Sequence, residues 1–169
     1  MVSLKRKQAG FTIVELLIVI IVIGILAALV LVTFSGVQQK ARNTERVTDI
    51  KAVASHLETY NAENGYYPTV DNMNNGNDSN GQAFLANDLK GLDPAATCDP
   101  NATGTNNDVK TPPCHFTQTT LTAAGQYYYK PSPNNCDNNT SGNGPCTSFV
   151  LSYYNEGASG PTNVNSLSN

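Results

Sequence analysis

Four cysteines, Cys98, Cys114, Cys136 and Cys146, are the residues of this chain whose type and spacing speak first of chemistry. They lie in segments rich in Asn, Gly, Pro and Thr, and an even number in such loops reads as two disulfides formed in an oxidising space. Sequential pairing, Cys98 with Cys114 and Cys136 with Cys146, is the simplest of the three connectivities open to four cysteines. Each closure is worth about 2.5 to 3 kcal/mol in the chain-entropy model, a substantial help to a domain without a single Trp. A metal site is a poorer reading, since there is no C-x-x-C and the nearby imidazole is His115 alone.

Catalysis finds no constellation. His56 falls on a charged helical stretch where a solvated position is expected, and His115 has no acid or nucleophile at a recognisable spacing. Phosphate loops and nucleophile elbows are absent, so the chain reads as a non-enzyme without a cofactor. Asp71 to Gly81 is rich in oxygen ligands, yet Met73 stands where an EF-hand loop needs a ligand. Asn77, Asn101 and Asn138 occupy N-x-S/T sequons.

The most singular charge is Glu15, close to the start of a long apolar run. Leu16 to Val32 are seventeen consecutive residues without a charged or hydrogen-bonding side chain. As a helix, residues 11 to 34 span roughly 36 Å, enough to cross a hydrocarbon core of about 30 Å. A carboxylate inside such a span costs about 2.5 to 3.5 kcal/mol and calls for a partner. Before the run stand Lys5, Arg6 and Lys7; without the first ten residues, 7 basic side chains face 13 acidic ones. The acidic remainder argues against nucleic acid as the partner of the folded part. Basic residues flank the run on both sides, so orientation rests on the cysteines, which put the C-terminal part outside and the basic tail in the cytoplasm.

These residues must be positioned by a helix and a small sheet. Val37, Ala41, Thr44, Val47, Ile50, Ala54, Leu57 and Tyr60 recur at helical steps, while Lys40, Arg42, Arg46, Asp49, Lys51 and Glu58 fill other faces. With no proline before Pro68, one helix is expected from near Phe11 to about Asn64, stopped by Gly65. Beyond it come loops that bury little, at Asp71 to Gly81, Asp99 to Asp108 and Asn134 to Gly144. A short helix is expected at Ala83 to Leu92, with strands at Gln126 to Lys130 and Thr147 to Tyr154. Strand alternation puts Tyr128 on the side opposite to Tyr127 and Tyr129, which are expected in the core.

KRKQAGFTIVELLIVIIVIGILAALV, residues 5 to 30, resembles the class III signal segment of type IV prepilins and type II secretion pseudopilins. The likeness weakens over Gln39 to Thr69 and beyond that is only architectural. It implies a leader of residues 1–10, removed by a prepilin peptidase between Gly10 and Phe11, and N-methylation of Phe11. It also implies filament assembly through Phe11 and Glu15, the carboxylate meeting the terminal amine of a neighbouring subunit. On that reading Glu15 is unpaired in a lone subunit. Val32 stands where many members carry a proline, so the helix is expected to run without a break. Asp93-Pro94 is similar to part of a calcium loop of the major pseudopilin, without its surrounding spacing.

Taken together, an α+β, pilin-like fold is expected. A transmembrane and polymerisation helix (11–34) continues as an amphipathic half (35–64), packed on a small antiparallel sheet with disulfide-bridged loops in an extracytoplasmic head (65–169). The function expected is that of a structural subunit of a type IV pilus-like surface filament, with itself, the peptidase and the membrane assembly machinery as partners. Two alternatives stand beside it: a pseudopilin working as a periplasmic piston in type II secretion, and a membrane-anchored binding domain that does not polymerise.

Overall fold

A computed structural model of the protein describes residues 10–74, 84–85, 87–102, 114, 116–117, 121–138 and 144–167. The basic leader at Lys5 to Lys7, Asn77 and His115 lie outside these. The chain divides into two compact units between Lys40 and Ala41. Its fold is α+β: a long N-terminal helix and a small antiparallel sheet, with two disulfides.

Helix α1 runs from Ile13 to Asn64, 52 residues without interruption, because nothing in the sequence removes a backbone donor before Pro68. Gly65 ends it at φ +80°, its N–H closing on Asn61 O at 2.8 Å. A left-handed residue just past a helix is cheap only for glycine, which has no Cβ to clash.

In the first unit the helix shows no buried stripe. Every large apolar side chain among the described residues from Phe11 to Val30 is 49% to 84% exposed. The run is apolar all round, the pattern of a helix that lipid or other helices cover rather than one stripe of its own fold.

In the second unit one face of α1 is buried, carrying Arg46, Ile50, Val53, Leu57 and Tyr60 in alternating steps of four and three. The period agrees with expectation but the phase is turned: Ala41 and Thr44 are exposed, Val47 and Ala54 are half-buried flanks, and Val53 points inward. Arg46, expected on a polar face, is completely buried. A charge enters the core there because an opposite charge meets it.

Three strands form the sheet, in the order β1-β2-β3, all antiparallel: β1 Tyr128–Ser132, β2 Ser148–Tyr153 and β3 Thr162–Asn165. Tyr129 pairs with Leu151, and Leu151 in turn with Val164. The first strand lies two residues later than QYYYK suggested, and β3, polar and only four residues long, gave no apolar alternation to find it by. Tyr127 and Tyr129 are buried, whereas Tyr128 is half-exposed, as alternation requires. Tyr67 stands edge-on to Phe149, ring centroids 4.9 Å apart, and with Tyr129 the rings close the core against Ile50, Val53 and Leu57.

Connections supply the remaining walls. A single helical turn, α2 (Val70–Asn74), starts where Thr69 Oγ1 accepts from Asn72 N and Asn72 Oδ1 accepts from Thr69 N. Of the helix expected at Ala83 to Leu92, Phe84, Leu85 and Asn87 are helical and the chain turns after them. A 3-10 turn follows at Pro94–Thr97. The loop beginning at Asp99 buries more than its composition suggested: Asp99 itself is 2% exposed.

Candidate functional site

Gly10, Phe11 and Thr12 are exposed and lie ahead of the helix, so the Gly10–Phe11 bond sits in non-helical chain. Among the described residues, a Cβ added at Gly10 would meet nothing within 4 Å. Phe11 follows at 84% exposure.

Thr12 and Glu15 start the helix together. Thr12 N and Thr12 Oγ1 donate to Glu15 Oε2 at 2.8 and 2.7 Å, and Glu15 N donates back to Thr12 Oγ1 at 3.3 Å. This is a capping box, Thr-x-x-Glu, in which each side chain satisfies a backbone donor that the first turn leaves open. The Glu15 carboxylate is thus hydrogen-bonded to Thr12 of its own chain, a capping contact rather than a charge pair. The T-x-x-E spacing was present in the sequence as the signal for it.

A second cluster, in the second unit, was not anticipated. Arg46 Nε and Nη2 donate to Asp99 Oδ2 and Oδ1 at 2.8 and 3.0 Å, with both side chains fully buried. The planar fork matches the carboxylate at both oxygens, the geometry in which a buried pair holds best. Arg46 Nη1 reaches Glu156 Oε1 at 3.1 Å, and Arg42 Nε and Nη2 donate to Glu156 Oε1 and Oε2 at 2.6 Å each. Asn43 receives the Glu156 N–H at 2.9 Å and donates to the Glu156 carbonyl at 3.1 Å. Bonded first to Arg42 and then to Arg46, the Glu156 carboxyl is held down to about 2. Asp49 moves the other way: burial raises it, partly offset by a hydrogen bond from Tyr127 OH at 2.9 Å. The network ties α1 to the 3-10 turn region and to the β2–β3 loop. No one-dimensional signal marks it, because its members are 53 and 110 residues apart.

The cysteines pair as Cys98–Cys114 and Cys136–Cys146, closing separations of 16 and 10 residues. Beside the second bridge, Asn138 donates to Tyr67 O and accepts from Cys146 N at 2.9 and 2.8 Å, where Tyr67 and Cys146 also pair through their backbones. Other candidates are not brought into a site. His56 is half-buried rather than solvated, its Nδ1 2.9 Å from Ala52 O. Asp93 caps the 3-10 turn by accepting from Ala95 N at 2.9 Å. Among the described residues no group of three or more His, Cys, Asp or Glu is placed to hold a metal ion.

A capped helix start thus lies beside an exposed Gly–Phe bond, ahead of a helix long and apolar enough to cross a membrane. The prokaryotic N-terminal methylation motif matches residues 5–31 of the chain. The type II secretion system core protein G of Aeromonas hydrophila is 42% identical over 67 residues, 40% of this chain and 47% of that protein. Those of Vibrio cholerae and Escherichia coli are each 42% identical, over 66 residues (39% of this chain, 45% of the relative) and 64 residues (38% and 44%). Each alignment thus covers less than half of the relative's length. No solved structure matches the chain.

Proposed function

We infer that this chain is a structural subunit of a helix-packed filament, inserted in the membrane as a precursor and freed for assembly by cleavage after Gly10. The observation that carries this reading is the pairing of an exposed, non-helical Gly10–Phe11 bond with an adjacent apolar helix that is exposed on all sides. A prepilin peptidase would hydrolyse the Gly10–Phe11 amide, removing residues 1–10 with Lys5, Arg6 and Lys7 and freeing the Phe11 amine as an ammonium, which a methyl donor would then N-methylate. That cation would pair with Glu15 of a neighbouring subunit, whose Thr12 occupies Oε2 and leaves Oε1 to receive it. Apolar packing along residues 13–32 would supply adhesion, and the ion pair the register. Residues 11–34 would span the membrane, 35–64 would continue into the head, and residues 65–169 would face an oxidising space, a reading the two disulfides support.

A surface pilus is the first form of this assembly, favoured by the disulfide-bridged, Asn-rich head. The second is a type II secretion pseudopilus, favoured by the similarity to core protein G. Intact mass and N-terminal sequence of protein sheared from cells, with electron microscopy of the same sample, test the common reading. Methyl-Phe11 at the terminus of filamentous material is expected; full-length monomer confined to the membrane would instead mark a tethered binding domain. Loss of extracellular enzymes on deletion, with no filaments in wild-type shearings, would select the pseudopilus.

A further inference from the structure

The three tyrosines at 127–129 have different fates. Tyr127 OH and Tyr129 OH are taken up inside, donating to Asp49 Oδ2 and to Pro68 O at 2.9 and 2.7 Å. Tyr128 lies half-buried on the other side of β1, where it lines an open cleft of about 640 Å³. That volume falls in the range of small-molecule sites. One wall is α2 with Asp71; the floor is β1 with Tyr128 and Lys130; the far wall is the turn with Asn134 and Asp137. This last wall is pinned by the Cys136–Cys146 bridge.

Three properties narrow what the cleft takes. Among the described residues, the side chains of Asp71, Tyr128, Lys130 and Asn134 make no hydrogen bond or ion pair within the chain. In contrast, Thr69, Asn72 and Asn138 around them are all bonded. The β1 edge cannot extend as a template for an added strand. Tyr129 N is bonded to Thr117 O, and the next outward-facing position is Pro131, which has no N–H. Recognition along the cleft therefore rests on side chains. Finally, Lys130 stands with Asp71 and Asp137, one cation to two carboxylates, so the cleft mixes both signs and offers no field for a polyanion.

An aromatic ring, an amide, an ammonium and carboxylates together match one ligand class. Sugar rings present an apolar C–H face that stacks on a ring such as Tyr128, and vicinal hydroxyls that both donate and accept. We propose that this cleft binds a neutral carbohydrate, stacked on Tyr128 with its hydroxyls bonded to Asn134, Asp71 and Lys130. The proposal concerns the second unit alone and stands whether or not the chain polymerises.

Calorimetry on the full-length protein in detergent tests it, with N-acetylglucosamine tetramer, maltoheptaose and mannotriose as probes, and heparin and polylysine beside them. Binding to one or more of the neutral sugars is expected, insensitive to salt. It should weaken about tenfold in Tyr128→Ala and in Asn134→Ala, and persist in Tyr128→Phe, which keeps the ring. Tyr154→Phe, outside the cleft, should bind as the parent does. Lys130→Ala, an exposed position, gives a second variant whose folding is not at issue. Absence of binding to all three sugars, equal binding by the Tyr128→Ala/Asn134→Ala double variant, or binding confined to heparin or polylysine would each overturn the assignment.

Discussion

Helix α1 is one element exposed to two sets of rules. From Ile13 to Lys40 its described apolar side chains lie open on every face, whereas from Ala41 on it hides one face in a core of leucine, valine and aromatic rings. Backbone geometry does not change between the two stretches. What changes is where the burial comes from: the distal stretch carries a stripe the chain itself covers, and the proximal one has an all-round apolar surface that water will not solvate. Such a surface needs lipid or other chains. The difference teaches that stability and assembly are divided along one helix, and that each can be disturbed while the other is kept.

The largest separation should come from Arg46. Removing either partner of the buried Arg46–Asp99 pair strands a charge in the core, and Arg46→Ala or Asp99→Ala should each cost about 3 to 5 kcal/mol. Denaturant unfolding followed by tyrosine fluorescence checks this, with the membrane-fraction yield expected to stay constant. The double change Arg46→Met/Asp99→Leu should recover most of the loss. Next, Cys136→Ser/Cys146→Ser should lower unfolding stability by about 2.5 kcal/mol, a drop that vanishes when both proteins are measured under reducing conditions.

On the proximal side, Thr12→Ala removes the capping box and should cost about 1 kcal/mol at the helix start. Amide exchange should rise over the first turn and remain unchanged from Ala41 on. The smallest effect is on pH. Glu156 is held down to about 2, so its contribution is complete above the ordinary carboxylate range and is lost as pH falls through that range towards 2. Asp49, raised by burial, acts in the opposite sense and gains as it is protonated. Melting temperature against pH should fall below about 4, and Glu156→Gln should flatten that fall.

Much of this molecule is visible in its sequence where a local pattern carries it. The apolar run, the stop at Gly65 and the sequential cysteine pairs are such cases, and Gly10, Phe11 and Glu15 stand within six positions of one another. Arg46 is the counterexample. Its neighbours on the helix say polar face, and only Asp99, brought in from a loop 53 residues away, makes burial tolerable. Strand β3 escaped for a related reason: Thr162, Asn163 and Asn165 offer no alternation, and the strand exists because β2 has an edge to pair with. The cleft at Tyr128 likewise depends on α2 and the Asn134 turn meeting β1.

Asn138 has a consequence measured in time. Its side-chain amide stands in for a missing peptide, bonded to Tyr67 on one side and Cys146 on the other, and Asn101 is occupied in the same way by Glu156 Oε1 at 2.9 Å. Both head sequons of the described chain thus have their acceptor nitrogens engaged once the head has closed. An enzyme that sugars asparagine would find them open only on the nascent strand, so folding sets the deadline for any such mark.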